Sequence, residues 1–181
     1  MTDKPRLKRL VKKKSSKIQI GWQEWCALPK LHIPAIKTKI DTGAKTSALH
    51  AWDIDTFHRH GELYVHFMVH PIQRNSRIHC FCTSHVVDKR SIMNTAGHKE
   101  NRYIITTPIT LGSTTWEIEI GLTNRDPLAF RMLLGRDALK GHTLIDPAKT
   151  LCQGKMSSRI LKKLYTKHHL HTHHHSYPWK T

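Results

Sequence analysis

The chain has 181 residues, 38% of them hydrophobic, enough for one ordinary domain with tails. Its net charge of +17 sits mainly at the ends: residues 1–17 contribute +7, Lys155 onward +6, and residues 18–154 only +4. No apolar run reaches the roughly 18 residues that span a membrane, and the N-terminus lacks the apolar core of a signal peptide, so a cytoplasmic protein without membrane contact is expected.

In chain order, the basic arm 1–17 precedes Ile18–Leu28, which has strand composition. Pro29 and Pro34 bracket a turn. Ile36–Asp41 alternates, placing Ile36, Thr38 and Ile40 on one face and Lys37, Lys39 and Asp41 on the other. It ends in Asp41-Thr42-Gly43-Ala44, a carboxylate delivered where a strand meets a glycine turn. Ser47–Trp52 reads as the returning strand, and Leu63–Val69 shows the clearest alternation in the sequence.

Further strands are expected at 78–82, 85–88, 103–111 and 116–122, the last two joined by a hairpin turn at Gly112. Asn94–His98 is a small-residue loop suited to a mobile hairpin tip. Arg136–Lys140, stopped by Gly141, is a single short helix. Met156, Ile160, Leu161 and Leu164 recur at helical spacing, giving a basic amphipathic helix that docks on the domain or awaits a partner. Many short strands with little helical period make the chain all-β, a small closed or partly open barrel over 18–153, with a basic, His-rich extension at 154–181.

Four cysteines fit free thiols in a reducing compartment. Cys80 and Cys82 share a face of their strand, but their spacing matches no usual zinc pattern, so buried thiols are expected and no metal. The His168–His175 tract would chelate metal without forming a shaped site. Gly43-Ala44-Lys45-Thr46 lacks the glycine that precedes the lysine of a phosphate-binding loop. Dinucleotide, zincin and serine-hydrolase motifs are missing too, so no cofactor is expected.

Asp41-Thr42-Gly43-Ala44, then Leu133-Leu134-Gly135-Arg136-Asp137 some ninety residues later, resembles the retropepsin-type aspartic protease arrangement. The longer strings Ile20-Gly21-Trp22, Lys39–Ala51, His70-Pro71, Leu122–Arg125 and Arg131–Arg136 are similar to a bacterial family labelled ATP-dependent zinc protease and viewed as retropepsin-like. The resemblance covers about residues 18–152. It implies an aspartic peptidase in which two carboxylates share one proton and activate a water, because two close like charges cannot both ionise. Only one Asp-Thr-Gly occurs here, so the resemblance implies a homodimer with Asp41 from each copy.

On that reading Asp41 is catalytic, and Thr42, Gly43, Ala44, Leu134 and Gly135 support it. The hairpin at Gly97 is a flap. Lys45, His50, Gly97 and Arg136 are candidates for substrate contact, with structural roles favoured for Lys45 and His50 and an ion pair to Asp137 favoured for Arg136. Asp53 and Asp55 are the alternative second acids within one chain. The resemblance further suggests an acidic, glutamate-rich peptide as substrate. The competing reading is an inactive barrel that holds ribosome, nucleic acid or another polyanion through its basic tails.

Overall fold

The computed structural model describes residues 17–93, 97, 99–124 and 130–172, with the side chains of 167–172 left aside. The chain is mostly β. Eleven strands run in the described residues: β1 Ile18–Ile20, β2 Gln23–Leu28, β3 Ile33–Asp41, β4 Ser47–His50, β5 Trp52–Arg59, β6 Glu62–Val69, β7 Cys80–Met93, β8 Lys99–Leu111, β9 Thr114–Thr123, β10 Met132–Gly135 and β11 Thr143–Ile145. Two helices, α1 Arg136–Leu139 and α2 Ser158–Thr172, accompany them.

The large sheet runs β2-β3-β10-β4-β9-β8-β7-β6-β5, and β2 also pairs with β8. The strands from β2 to β8 therefore close into a ring, and β7, β6 and β5 extend from it. The expected alternation of β3 holds: Ile36, Thr38 and Ile40 are buried while Lys39 is exposed. Ile36, Ile40, Leu49, Ile105, Ile109, Ile120, Leu122 and Leu134 fill the interior. Burial of each such side chain is worth about 1.5–3 kcal/mol against leaving it in water.

Several elements differ from the sequence reading. Ile18–Leu28 is broken at Gly21-Trp22, because Trp22 donates its N–H to Lys149 O and a Cβ on Gly21 would lie 2.2 Å from that same oxygen. Glu24, fully buried, accepts from the backbone N–H groups of Gly21 (2.7 Å), Cys152 (2.8 Å) and Gln153 (3.1 Å), tying the break to the far end of the domain. β4 does not return along β3. Instead β10 lies between them, parallel to β3 and antiparallel to β4. Residues 78–88 do not form two strands: β7 is continuous, and a register shift between Val86 and Asp88 accommodates the change of face.

Pro34 lies inside β3, and the turn before it is a 3-10 segment, Pro29–Leu31, closed by His32 at φ 55°. The C-terminal amphipathic helix forms as α2 and docks: Tyr165 is 1% exposed and its hydroxyl donates to Ala35 O on β3. Among the described residues no helix is long and apolar enough to cross a membrane. The basic arm before residue 17 and the tract beyond residue 172 lie outside the described residues.

Candidate functional site at the Asp41 turn

Asp41 ends β3 with its side chain on the outer face, about one-third exposed. Oδ1 accepts the N–H of Gly43 (3.1 Å) and of Ala44 (3.3 Å), so the carboxylate closes its own turn. Oδ2 lies 3.7 Å from Lys39 Nζ, the next outer-face residue along β3. A Cβ on Gly43 would sit 3.3 Å from Asp41 Oδ1, tighter than ordinary contact, so glycine lets the carboxylate fold over the turn.

The turn is held from behind by the β10–α1 corner. Gly135 pairs with Asp41 in register, and its N–H donates to Ser47 Oγ at 3.1 Å. A Cβ on Gly135 would come within 2.6 Å of the Thr46 carbonyl carbon and 2.8 Å of Lys45 O. Three carbonyls of the turn accept from α1: Thr42 O from Arg136 Nη1 (2.9 Å), Ala44 O from Arg136 N (2.8 Å) and Lys45 O from Asp137 N (3.1 Å). Leu134 is fully buried beneath. Thr42, Gly43 and Lys45 remain exposed above this support. Arg136 therefore braces Thr42 through its guanidinium, replacing the expected local pair with Asp137, because the turn carbonyl offers it an acceptor at hydrogen-bond distance.

Other candidates stand apart. His50 is buried on β4, and its N–H donates to Arg131 O. The registers Leu133↔Ala48 and Gly135↔Asp41 put His50 about four residue steps, roughly 13 Å, along the strands from Asp41. Gly97, exposed at φ 81°, lies between β7 and β8, while the rest of the expected flap, 94–96 and 98, lies outside the described residues. Asp53 and Asp55 are on β5, in the extension beyond the ring.

The thiols of Cys80 and Cys82 point at the carbonyls of His32 (3.9 Å) and Leu31 (3.4 Å). Burial pushes Cys80 up to about 12 and Cys82 upward as well, so both keep their protons and serve as small packed donors. Among the described residues no group of three or more His, Cys, Asp or Glu is placed to hold a metal ion.

A second polar group lies on the same face of these strands, at a part of it that is largely buried. Side chains of register partners share a face, so the pairings Lys39↔Leu133↔Ala48↔Gly121↔Ile104 mark one row of it. Two residues further along β9 and β8 stand Thr123 and Arg102. Arg102, 8% exposed, directs Nε (2.9 Å) and Nη2 (2.8 Å) at Glu100 Oε2. Thr123 Oγ1 donates to the same carboxylate at 3.1 Å. The signal was present in the sequence: Glu100 and Arg102 alternate on one face of a strand with opposite charge.

A match to the RimB-like family, described as "Retropepsin-like aspartic endopeptidase RimB", extends over residues 19–156 and takes in the Asp41 turn, the β10–α1 corner and the ring. The chain belongs to the RimB-like family. The retropepsin-like resemblance and the all-β fold drawn from the sequence hold. A crystal structure of a Legionella pneumophila protein of unknown function, Lpg0085, superimposes with a TM-score of 0.65 at 29% identity, covering 76% of this chain and 99% of that one.

Curated relatives carry another name. A protein of Shewanella pealeana is 47% identical over 150 residues, 83% of this chain and 33% of its own length. One of Desulfotalea psychrophila is 49% identical over 148 residues, 82% of this chain and 32% of its own. A third, from Parasynechococcus marenigrum, is 42% identical over 149 residues. Each is named "Probable alpha-L-glutamate ligase". The chain thus spans about a third of the length of these relatives. Their names overturn the expectation of an aspartic peptidase, and with it the hydrolase and protease classes. Proteins this similar are named for joining glutamate, and no zinc-protease name appears among them. What the family match establishes for this chain is its family and fold.

Proposed function

We propose that this chain is a glutamyl-peptide-binding module of an α-L-glutamate ligation system, and that the outer face around Asp41 is where the peptide lies. The ligase name of relatives 42–49% identical over some four fifths of this chain carries the reading. The sequence lacks a phosphate-binding loop, which suits a division of labour. In it, the ATP-consuming step belongs to the two thirds of those relatives that this chain does not span.

Lys39, Lys45 and Arg136 surround the turn, and cations on a rigid support suit the side-chain carboxylates of an α-linked glutamate chain. Asp41, anchored by Gly43 and Ala44, presents a carboxylate that accepts an N–H from the same peptide. Thr42, Gly43, Ala44, Leu134 and Gly135 hold it there.

Fluorescence anisotropy with a labelled α-linked glutamate oligomer tests this directly. The expected outcome is binding that weakens as salt rises and that a glutamine oligomer of equal length does not match. Lys45→Glu weakens it further and flattens the salt dependence. Equal affinity for the glutamine oligomer would overturn the proposal. So would a failure to alter tail length when the chain is added to an ATP-dependent glutamate ligase.

A further inference from the structure

The Glu100–Arg102–Thr123 group is a built carboxylate site whose occupant belongs to the chain itself. The two partners of the ion pair are not equally placed: the Arg102 side chain is 10% exposed and that of Glu100 31%. A guanidinium that deeply buried needs a carboxylate, since an unpaired buried charge is costly. The glutamate is the member that can leave for water. Both Arg102 donors named above go to one oxygen, and the Thr123 hydroxyl reaches both, so the cradle is shaped to one carboxylate.

The cradle lies on the face that carries Asp41. The intervening row is low: Ala48 and Gly121 pair directly, and the Arg102 stem passes 3.5 Å from where a Cβ on Gly121 would be. The opposite faces of the same strands, with Leu49, Ile120 and Leu122, are sealed in the core. Thr123 is the register partner of His50, so the cradle lies three strands across and about four residue steps along from Asp41, roughly 20 Å away, a span of about six residues of extended peptide.

We infer that Arg102 and Thr123 form a subsite for the side-chain carboxylate of a glutamyl residue, and that Glu100 is an intramolecular stand-in which the ligand displaces. This rests on the glutamyl-peptide reading above and deepens it. The exchange is one carboxylate for another, with no proton or bond to balance. Glu100 therefore competes with ligand rather than assisting it.

The sign of one substitution separates the two roles. In the anisotropy assay Glu100→Gln is expected to tighten glutamate-oligomer binding about tenfold, on the order of one charge-assisted hydrogen bond. Arg102→Gln weakens it by at least as much. Since loss of a buried arginine threatens folding, Thr123→Val serves as the milder partner, and circular dichroism and melting temperature are recorded for all three. If Glu100 merely props Arg102, Glu100→Gln weakens binding in parallel with Arg102→Gln, and the inference fails. A wild-type chain that prefers glutamate oligomers, with a folded Glu100→Gln variant of unchanged affinity, also overturns the subsite while leaving the function intact. A wild-type chain with no such preference overturns both.

Discussion

Two buried residues hold the frame around the site, Gly135 behind the Asp41 turn and Glu24 at the Gly21-Trp22 break. Gly135 stands where the backbone of residues 45–47 comes within 2.6–2.8 Å of a would-be Cβ. Gly135→Ala is therefore expected to cost about 1–3 kcal/mol as overpacking and to disorder the turn. Urea denaturation reads the first effect and loss of glutamate-oligomer binding the second. Glu24 is the other. Cutting the side chain takes the acceptor from three backbone donors at once, so Glu24→Ala is expected to lose about 3 kcal/mol, and Glu24→Gln less. An unchanged denaturation midpoint for Glu24→Ala would contradict this role.

At the scale of elements, alternation made β3, β6 and β9 legible, because along most of each strand one face is sealed in the core and the other is more open. The β10–α1 corner was legible in part. Leu133–Asp137 stood out as a motif and the helix followed from Gly141, yet β10 was not read as a strand. Four residues are too few to show a period, and its neighbours β3 and β4 are distant in sequence. The support of Asp41 by Gly135 is legible only through resemblance, whereas Glu100 and Arg102, two apart with opposite charge, lie N-terminal to the strand expected at 103–111 and pair on the longer β8 that forms. Long-range ties such as Glu24 to Cys152 leave no local pattern at all. For α2 the periodic apolar residues announced a helix, but Tyr165, not Ile160, is the residue that docks it, Ile160 being 48% exposed. Tyr165→Phe removes the donor to Ala35 O and is expected to cost about 1 kcal/mol. Hydrogen exchange should then accelerate in α2 before it does so in the ring.

For the molecule as a whole, the buried thiols set an alkaline limit. Cys80 is raised from 9.0 to about 12 in the folded chain, so above pH 9 the unfolded state releases a proton that the native state retains. Stability is therefore full below pH 9 and falls as pH climbs toward 12. Cys26 behaves in the same way, raised to about 12 by burial. A Cys80→Ser variant should show a shallower decline of the urea midpoint between pH 9 and 11 than the wild type. A parallel decline would remove Cys80 from the account.

The small clasp of β1 and β11 bears on the chain in another way. Their pairing is parallel, Ile18 to Thr143 through Ile20 to Ile145. Tension applied at the start of β1 and the end of β11 pulls them along their length, so the bonds between them must yield together rather than one after another. The Glu24 carboxylate and the Gly21–Lys149 contact lie in the same load path. Spliced between larger segments, such a module meets a pull first at this clasp and at the β2 strand that carries Glu24.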